Sequence, residues 1–488
     1  MEQHISRLID IVGNESVFNH PDLGESVSLD HTLVHNYKAS FLAKPGNVDQ
    51  VQKIVQWANE TKTPLVPISS DKPHFRGDTN PTAPEAVIVD LSGMQRILKI
   101  NRRNRLALIE PGVTFSQLLP EIQKEGLRIN LPLLPRANKS VITSLLEREP
   151  LLSPRFQWNF LDPLRSLEMV WGNGDKFWSG NGTFRGEREE DWDLGLIPVQ
   201  GPGPGQLDFY KFVSAAQGSM GIVTWASIKC EALPEIHKVF YVASDKLDDL
   251  IEFMYKLIKF RFGDELFIVN RACMASMLAR EADEIASLKN IIPPWIAVVG
   301  ISGGQILAHD RVEAQESDIQ DFARQYDLKM QPELEGGLAN EQLKCILEPS
   351  KEPYWKLRYK GGSQEIFFLT TLDKTPGFLS TMYSIASEHL YLIDDIGVYI
   401  QPVHQGVACH CEFQLPFDRD KEADVTKTTE LFRDASQKLF SQKAYFSRPY
   451  GIWADMVYSA DARTTAVTRK MKDIFDPNHV MNPGKLCF

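Results

Sequence analysis

Apolar and polar residues alternate along the first half of the chain in short blocks whose period switches between that of a strand and that of a helix. Ala39–Pro45 reads as a short strand. Asn47 then offers a side-chain cap, and Val48, Val51, Ile54, Val55 and Ala58 recur at helical spacing on one face. Pro64–Ser69 and Ala86–Leu91 are compact apolar runs bounded by polar loops, as strands require, and further runs follow at 97–100 and 106–113. Thr114 opens another helix through Leu118, Leu119 and Ile122. Strand, helix and loop alternate without an internal repeat, which predicts a mixed, α+β type of domain.

From about residue 235 to 445 the pattern changes. Strands are expected at 238–243, 295–301, 366–370, 398–402 and 406–413. Residues 247–260 form an amphipathic helix with Leu250, Ile251, Met254, Leu257 and Ile258 on one side, and charged helices are expected at 308–325 and 421–440. Strands with helices on one face make a second layered unit. Between the halves, residues 181–208 are rich in Gly, Pro and charge, with Gly201–Gly205 alternating Gly and Pro. No strand leads into this stretch and no helix closely follows, so it is read as an insertion, or else a lid or partner contact, rather than a nucleotide fingerprint.

At 488 residues the chain exceeds one simple core and should divide into two or three domains. A net charge of −11 with no basic stripe argues against nucleic acid as a partner. No apolar stretch reaches membrane-spanning length, and Met1–Asp10 lacks a basic segment followed by an apolar run, so a cytoplasmic protein without a membrane partner is expected. The six cysteines include no C-x-x-C pair, which disfavours a zinc ribbon or an iron–sulfur cluster. Cys409-His410-Cys411 does not converge on a metal either, because in a strand the cysteines face one way and the histidine the other. No metal is expected.

The most unusual stretch is Pro135–Pro150, in which Arg136 and Lys139 stand among small polar residues ahead of an apolar pair and Glu147-Arg148-Glu149. Such a loop can present backbone N–H groups and side-chain donors to an anion. It has company. Val89–Met94, Glu110–Thr114, Phe212–Thr224 and Ile474–Lys485 follow in the order seen in the vanillyl-alcohol oxidase/p-cresol methylhydroxylase superfamily, and the chain resembles that family over most of its length. The first loop, Pro67–Pro81, is similar in length to that of the 4-alkylphenol-oxidising branch. Ser140–Glu149 resembles the branch's S-V-G-G-N-x-L-E-R-G, and Glu168–Gly180 its E-V-V-L-x-N-G-E-x-x-R-T-G.

The resemblance implies a two-part PCMH-type FAD-binding domain over residues 1–234 with its core at about 36–233. It implies a substrate-binding cap with a mostly antiparallel, helix-covered sheet over 235–445, and a segment over 446–488 that returns to the FAD domain. It implies an oxidoreductase with FAD as cofactor, held by Pro67, Ser69, Ser70, His74, Gly77 and Asp78 of the first loop. Lys139, Ser140, Val141, Thr143 and Arg148 of the second loop, with Gly218, Gly221, Ile222, Asn482 and Lys485, complete the expected cofactor set. His74 stands where some members attach the flavin covalently, which leaves covalent attachment open. Ile142 and Thr143 replace the family's glycine pair, and Asp71, Lys72 and Pro73 crowd the first loop. Backbone approach to a pyrophosphate favours Gly, so FAD is held with altered geometry, with Lys72 or Lys139 as charge partners, or is held weakly.

The implied substrate is a small aromatic one, a 4-alkylphenol or 4-hydroxybenzyl alcohol that loses a benzylic hydride by way of a quinone methide. Its phenolate must be stabilised by cationic or hydroxyl donors. Arg76 stands at the family's first-loop Tyr, and Tyr445, Arg448 and Tyr450 are candidates for its later Tyr-Arg pair. His410 and Glu412, on one face of a strand, are candidates for lining the cavity as acid and base. Two alternatives remain: a 2-hydroxy-acid dehydrogenase, whose metal motif is incomplete here, and a flavin-poor, non-catalytic subunit of a larger complex. An electron-acceptor protein or subunit and a homo-oligomeric assembly are the further partners implied.

Overall fold

Asn47 caps its helix as expected: the side chain accepts from Gln50 N at 3.0 Å, and the helix runs Val48–Thr61 until Lys62 turns left-handed. In the computed structural model, which describes residues 2–19, 37–154, 163–181, 203, 208–334 and 344–488, this helix is α2, after α1 (Glu2–Val12). Most of the expected insertion at 181–208 lies outside the described residues. Strands β1 (Val17–Asn19), β2 (Phe41–Ala43), β3 (Leu65–Ile68) and β4 (Val87–Asp90) form a sheet in the order β1-β2-β4-β3. β2 and β3 run parallel to β4, and Val51, Ile54, Val55 and Ala58 of α2 pack among its apolar residues. β5 (Ile97–Asn101) and β6 (Leu106–Ile109) precede α3 (Phe115–Lys124), which Thr114 opens with a reciprocal capping box to Gln117. After β7 (Leu127–Arg128) and α4 (Val141–Leu146), β8 (Leu164–Trp171), β9 (Lys176–Trp178) and β10 (Gly221–Lys229) complete an antiparallel sheet, β5-β6-β10-β8-β9.

The second half is built on one antiparallel sheet of seven strands. β11 (Glu231–Ala232) pairs with β7, and the chain then enters β12 (Ile236–Ser244), β13 (Glu265–Asn270), β14 (Trp295–Gly303) and β15 (Met330–Gln331). β16 (Gly361–Thr370), β17 (Gly397–Val403) and β18 (Ala408–Asp418) follow, in the order β15-β12-β14-β13-β17-β18-β16. On one face the apolar residues of α5 (Leu247–Phe260) pack as predicted, with those of a helix over Ala308–Gln325 and, later in the chain, helices over Thr375–Glu388 and Glu422–Ser441. The other face is not bare. Two unpredicted helices, α6 (Arg271–Leu278) and α7 (Ala282–Ile291), cover part of it. This corrects the expectation of helices on one face only. α6 buries Ala272, Cys273, Met274, Ala275 and Met277 and so carries no polar stripe to mark its period.

The chain ends by returning to the first sheet. Met481 bridges to Leu65 beside β3. Lys472, fully buried, donates to Asp476 Oδ2 at 2.5 Å, to the Met481 carbonyl at 2.9 Å and to the carbonyl of Ser219. Asp476 in turn accepts the N–H groups of Val480 and Met481 at 3.0 and 2.8 Å. A buried ion pair is tolerated only when such extra hydrogen bonds satisfy it, and here they fix the last segment against the loop before β10.

Candidate functional site

Two loops, one after β3 of the first sheet and one between β7 and α4, run side by side. The first follows β3, whose apolar run ends at Ile68 and delivers Ser69 and Ser70 at its tip. The second precedes α4, where Ser140 acts as the helix cap through a bond from Thr143 N at 3.1 Å. The loops are laced together. Ser140 N donates to Ser70 Oγ at 3.0 Å, and the Ser69 and Thr143 hydroxyls touch. Arg136 spreads its guanidinium over the Asp71, Lys72 and Pro73 carbonyls, with 3.0 Å to Asp71 O and 2.5 Å to Pro73 O. They open on a cleft with about 1610 Å³ of empty space including its mouth, which runs from Pro67 and Gly218 to Tyr399 and Glu412 of the second half.

At the groove end of this cleft the residues suit a phosphorylated, flat cofactor. Between the touching hydroxyls of Ser69 and Thr143 one hydrogen suffices, so the other O–H is left for a further acceptor. Gly218 has φ +69°, and a Cβ there would stand 2.5 Å from Pro67 Cγ, so close approach of the two segments depends on Gly. His74 lines the same wall; its Nε2 is buried without a protein partner. Burial, reinforced by Arg136, lowers its pKa to about 4, leaving a neutral imidazole. FAD therefore fits the residues present: donors on both loops, an unpaired buried nitrogen and a glycine-dependent wall.

Past the second loop the cleft becomes ionic. Lys139 reaches Glu147 Oε2 at 2.6 Å and Glu149 Oε1 at 2.8 Å, and Arg76 reaches the same two carboxylates, 3.1 Å from Glu149. Burial works against the charge on Glu149, but Lys139 and Arg76 outweigh it and hold the carboxyl well below its usual range. On the opposite wall Lys356 bridges Glu365 and Glu412, 2.6 Å from the latter. Glu412 also accepts from Gln414 at 2.8 Å and is 3.2 Å from His410 Nε2. His410 is buried and its pKa is lowered to about 4, with Glu412 opposing the effect of burial.

Arg448 is different. It is 3% exposed, lines the cleft, and has one backbone contact, 3.4 Å to Glu147 O, with no carboxylate within ion-pair distance among the described residues. Burial and then the neighbouring Arg76 lower its pKa from the usual arginine value. Its guanidinium lies 4.2 Å from the centre of the Phe367 ring, and that of Arg76 lies 5.4 Å from the same centre. Tyr450, 5.6 Å from Arg76 by the same measure, has its hydroxyl pKa raised by burial and by Glu147, so it remains a neutral donor. A buried cation with so little compensation is a place for an anion.

The structure thus brings together Arg76, Arg448, Tyr450 and Glu412 with Pro67, Ser69, Ser70, His74, Asp78, Thr143, Gly218, Gly221 and Ile222 around one cleft. Several expectations are corrected. Tyr445 is 60% exposed and off the cleft; only its backbone is engaged, with Leu369. His410 stands behind Glu412 rather than on the cleft wall. Lys139 is on the wall but is tied to two carboxylates. Val141 is in the core, and Ser140 spends its hydroxyl on Pro111 O and the cap. Gly77 and Arg148 are not on the cleft wall. Neither are Asn482 and Lys485, which brace the first loop from behind: the Asn482 amide donates to the Asp78 and Gln217 carbonyls at 2.8 and 2.7 Å, and Lys485 to those of Gly77 and Asn80 at 2.6 and 2.8 Å. Sequence reasoning missed Glu147, Glu149, Lys356 and Glu365. Glu149 could have been found, because it replaces the glycine that ends the resembling motif.

Residues 39–147 match the FAD binding domain family, and residues 452–486 match the C-terminal domain of FAD linked oxidases. The 4-cresol dehydrogenase [hydroxylating] flavoprotein subunit of Pseudomonas putida is 30% identical over 232 residues, 47% of this chain and 42% of that subunit, so the match spans less than half the relative's length. D-2-hydroxyglutarate dehydrogenase of Stutzerimonas stutzeri is 22% identical over 92% of this chain and 90% of its own. The fold is that of 4-ethylphenol oxidase from Gulosibacter chungangensis, solved with isoeugenol: TM-score 0.83 at 19% identity, covering 99% of this chain and 96% of that one. The fold and the cleft define an FAD-linked flavoprotein. With matches to the FAD binding domain and to the C-terminal domain of FAD linked oxidases, the chain has FAD as its cofactor, and it shares its fold with 4-ethylphenol oxidase and p-cresol methylhydroxylase.

Proposed function

We propose that the protein is an FAD-dependent oxidoreductase that removes a benzylic hydride from a para-substituted phenol bound as its phenolate. The observation that carries this reading is Arg448, a buried guanidinium with no carboxylate within ion-pair distance among the described residues, beside Arg76 and the neutral hydroxyl of Tyr450. A free phenol ionises near pH 10, so binding its anion at neutral pH needs donors and positive charge in a desolvated site. Arg448 and Arg76 would supply the charge and Tyr450 a hydroxyl donor. With the oxygen ionised, its electron density reaches the benzylic carbon, and loss of hydride leaves a quinone methide. Ser69, Ser70, Thr143 and the wall at Gly218 would hold FAD, which when bound would supply the two-electron acceptor. Glu412, fixed by Lys356, His410 and Gln414, would order the group that meets the quinone methide.

A 2-hydroxy-acid dehydrogenase is the second reading, favoured by the near full-length match to D-2-hydroxyglutarate dehydrogenase and by the ability of a guanidinium to take a carboxylate. An anaerobic flavin spectrum separates the two. The phenol reading expects 4-ethylphenol to bleach the flavin band and D-lactate to leave it; bleaching by D-lactate alone would overturn it. An electron-acceptor subunit, as the relative's description as a flavoprotein subunit invites, would then be sought among proteins that reoxidise the bleached flavin.

A further inference from the structure

We propose that substrate reaches Arg448 through a second cavity, separate from the groove that holds the cofactor. This inference rests on the anion site read above. The cavity has about 850 Å³ of empty space and adjoins the main cleft where Phe75, Arg76, Gln217, Glu365 and Tyr450 line both spaces, the neck of the proposed path. Its outer rim includes Gly451 and Gly484, both exposed, and its walls carry Phe367, Phe432 and Trp453. Ser69, Ser70 and Thr143 belong to the main cleft alone. A molecule arriving from the rim therefore meets the neck without crossing the cofactor groove.

The neck has the chemistry to hand an aromatic anion inward. The Phe367 ring faces the second cavity and lies against the guanidinium groups of both Arg76, at 5.4 Å, and Arg448, at 4.2 Å. A ring sliding past Phe367 thus stays within reach of positive charge from the neck to the anion site. Glu365 lines both spaces, adds to the negative charge that Glu147 and Glu149 place around Arg76, and is itself held by Lys356. Aromatic walls favour an aryl substrate over a small hydroxy acid, which gains little from apolar surface.

The proposal makes a kinetic statement. An obstruction in an entrance slows entry and exit alike and leaves affinity unchanged, whereas damage to a binding site changes affinity. The flavin-loaded full chain is mixed with 4-methylphenol or D-lactate in a stopped-flow instrument, as wild type, Ile452→Trp and Gln364→Trp. These side chains line the second cavity from different elements, so misfolding of one leaves the other, and flavin content with melting temperature identifies the folded variant. Association and dissociation should both slow by about tenfold or more, with Kd within about twofold of wild type. Unchanged rates in a folded variant, or a Kd that shifts without a matching slowing, would overturn the entrance. If D-lactate alone binds and is slowed, the entrance stands and the phenol reading falls. If neither ligand binds the wild type, both fall.

Discussion

The two ends of the cleft solve opposite problems. At the groove end the lining groups include hydroxyls of Ser69, Ser70 and Thr143 and a backbone amide bound to one another, and a neutral imidazole at His74 whose buried Nε2 has no protein partner. At the far end charge is concentrated: Arg76 and Lys139 share Glu147 and Glu149, Lys356 bridges Glu365 and Glu412, and Arg448 has no carboxylate within ion-pair distance among the described residues. A neutral, preformed groove suits a resident group that already carries its own charge. A charged site in which one buried guanidinium has no direct ion-pair partner suits a visitor that must be made anionic on arrival. On the proposed function, this difference corresponds to retention of cofactor at one end and selection of substrate at the other.

The largest effect should come from the unmatched cation. Arg448→Met should lower kcat/KM by between about thirtyfold and several thousandfold, the cost of about 2–5 kcal/mol expected when one partner of a desolvated charge pair is removed, while flavin content stays near wild type. Loss of flavin with kinetics otherwise intact would reverse the assignment of the two ends. The next should be Gly218→Ala, which puts a Cβ 2.5 Å from Pro67 Cγ at φ +69°. A strained backbone position of this kind costs about 1–3 kcal/mol, and it should appear as a lower melting temperature and poorer flavin retention, with KM for substrate little changed in the loaded fraction.

Acid should destabilise both ends. His74 and His410 titrate near 4 in the folded chain, below the ordinary value of 6.5, because burial disfavours their charged forms. The unfolded chain binds more protons than the folded one between these values, so stability is full above about 6.5 and falls as pH drops towards about 4. Melting temperature measured from neutral to acid pH should fall accordingly, and His74→Gln and His410→Gln should each flatten the decline; a slope unaltered in both would contradict it. The smallest effect should come from Thr143→Val. It removes one hydroxyl from the pair with Ser69, and FAD affinity of the apoprotein should weaken by about fivefold, the worth of roughly one hydrogen bond, with kcat unchanged.

Much of the frame was legible in the chain because it rests on local periodicity. The Asn47 cap and the apolar face of α2 are seen as expected. Alternation along β18 is too: Cys409 and Cys411 enter the apolar core on one face, while His410 and Glu412 face the other way. What was not legible depends on distance in sequence. Lys356, Glu365 and Glu412 meet only because β16 and β18 pair, with Phe367 opposite Glu412, and set the two carboxylates beside a lysine from the preceding turn. Arg76 meets Glu147 and Glu149 only because two loops from different sheets run side by side. Tyr445 misled for a simpler reason. A Tyr-Arg cluster in a loop signals a site but does not say which side chain turns inward, and here Arg448 and Tyr450 do while Tyr445 faces solvent.

The central claim is that the end of the cleft at Arg448 binds a phenol as its anion. It is tested most directly with 4-nitrophenol, whose absorbance distinguishes phenol from phenolate, added to the flavin-loaded protein at a mildly acidic pH where the free compound is mainly protonated. The account predicts that the bound compound shows the phenolate spectrum in the wild type and loses it in Arg448→Met. A bound compound that keeps the spectrum of the neutral phenol, or a phenolate spectrum that survives the loss of Arg448, would contradict it.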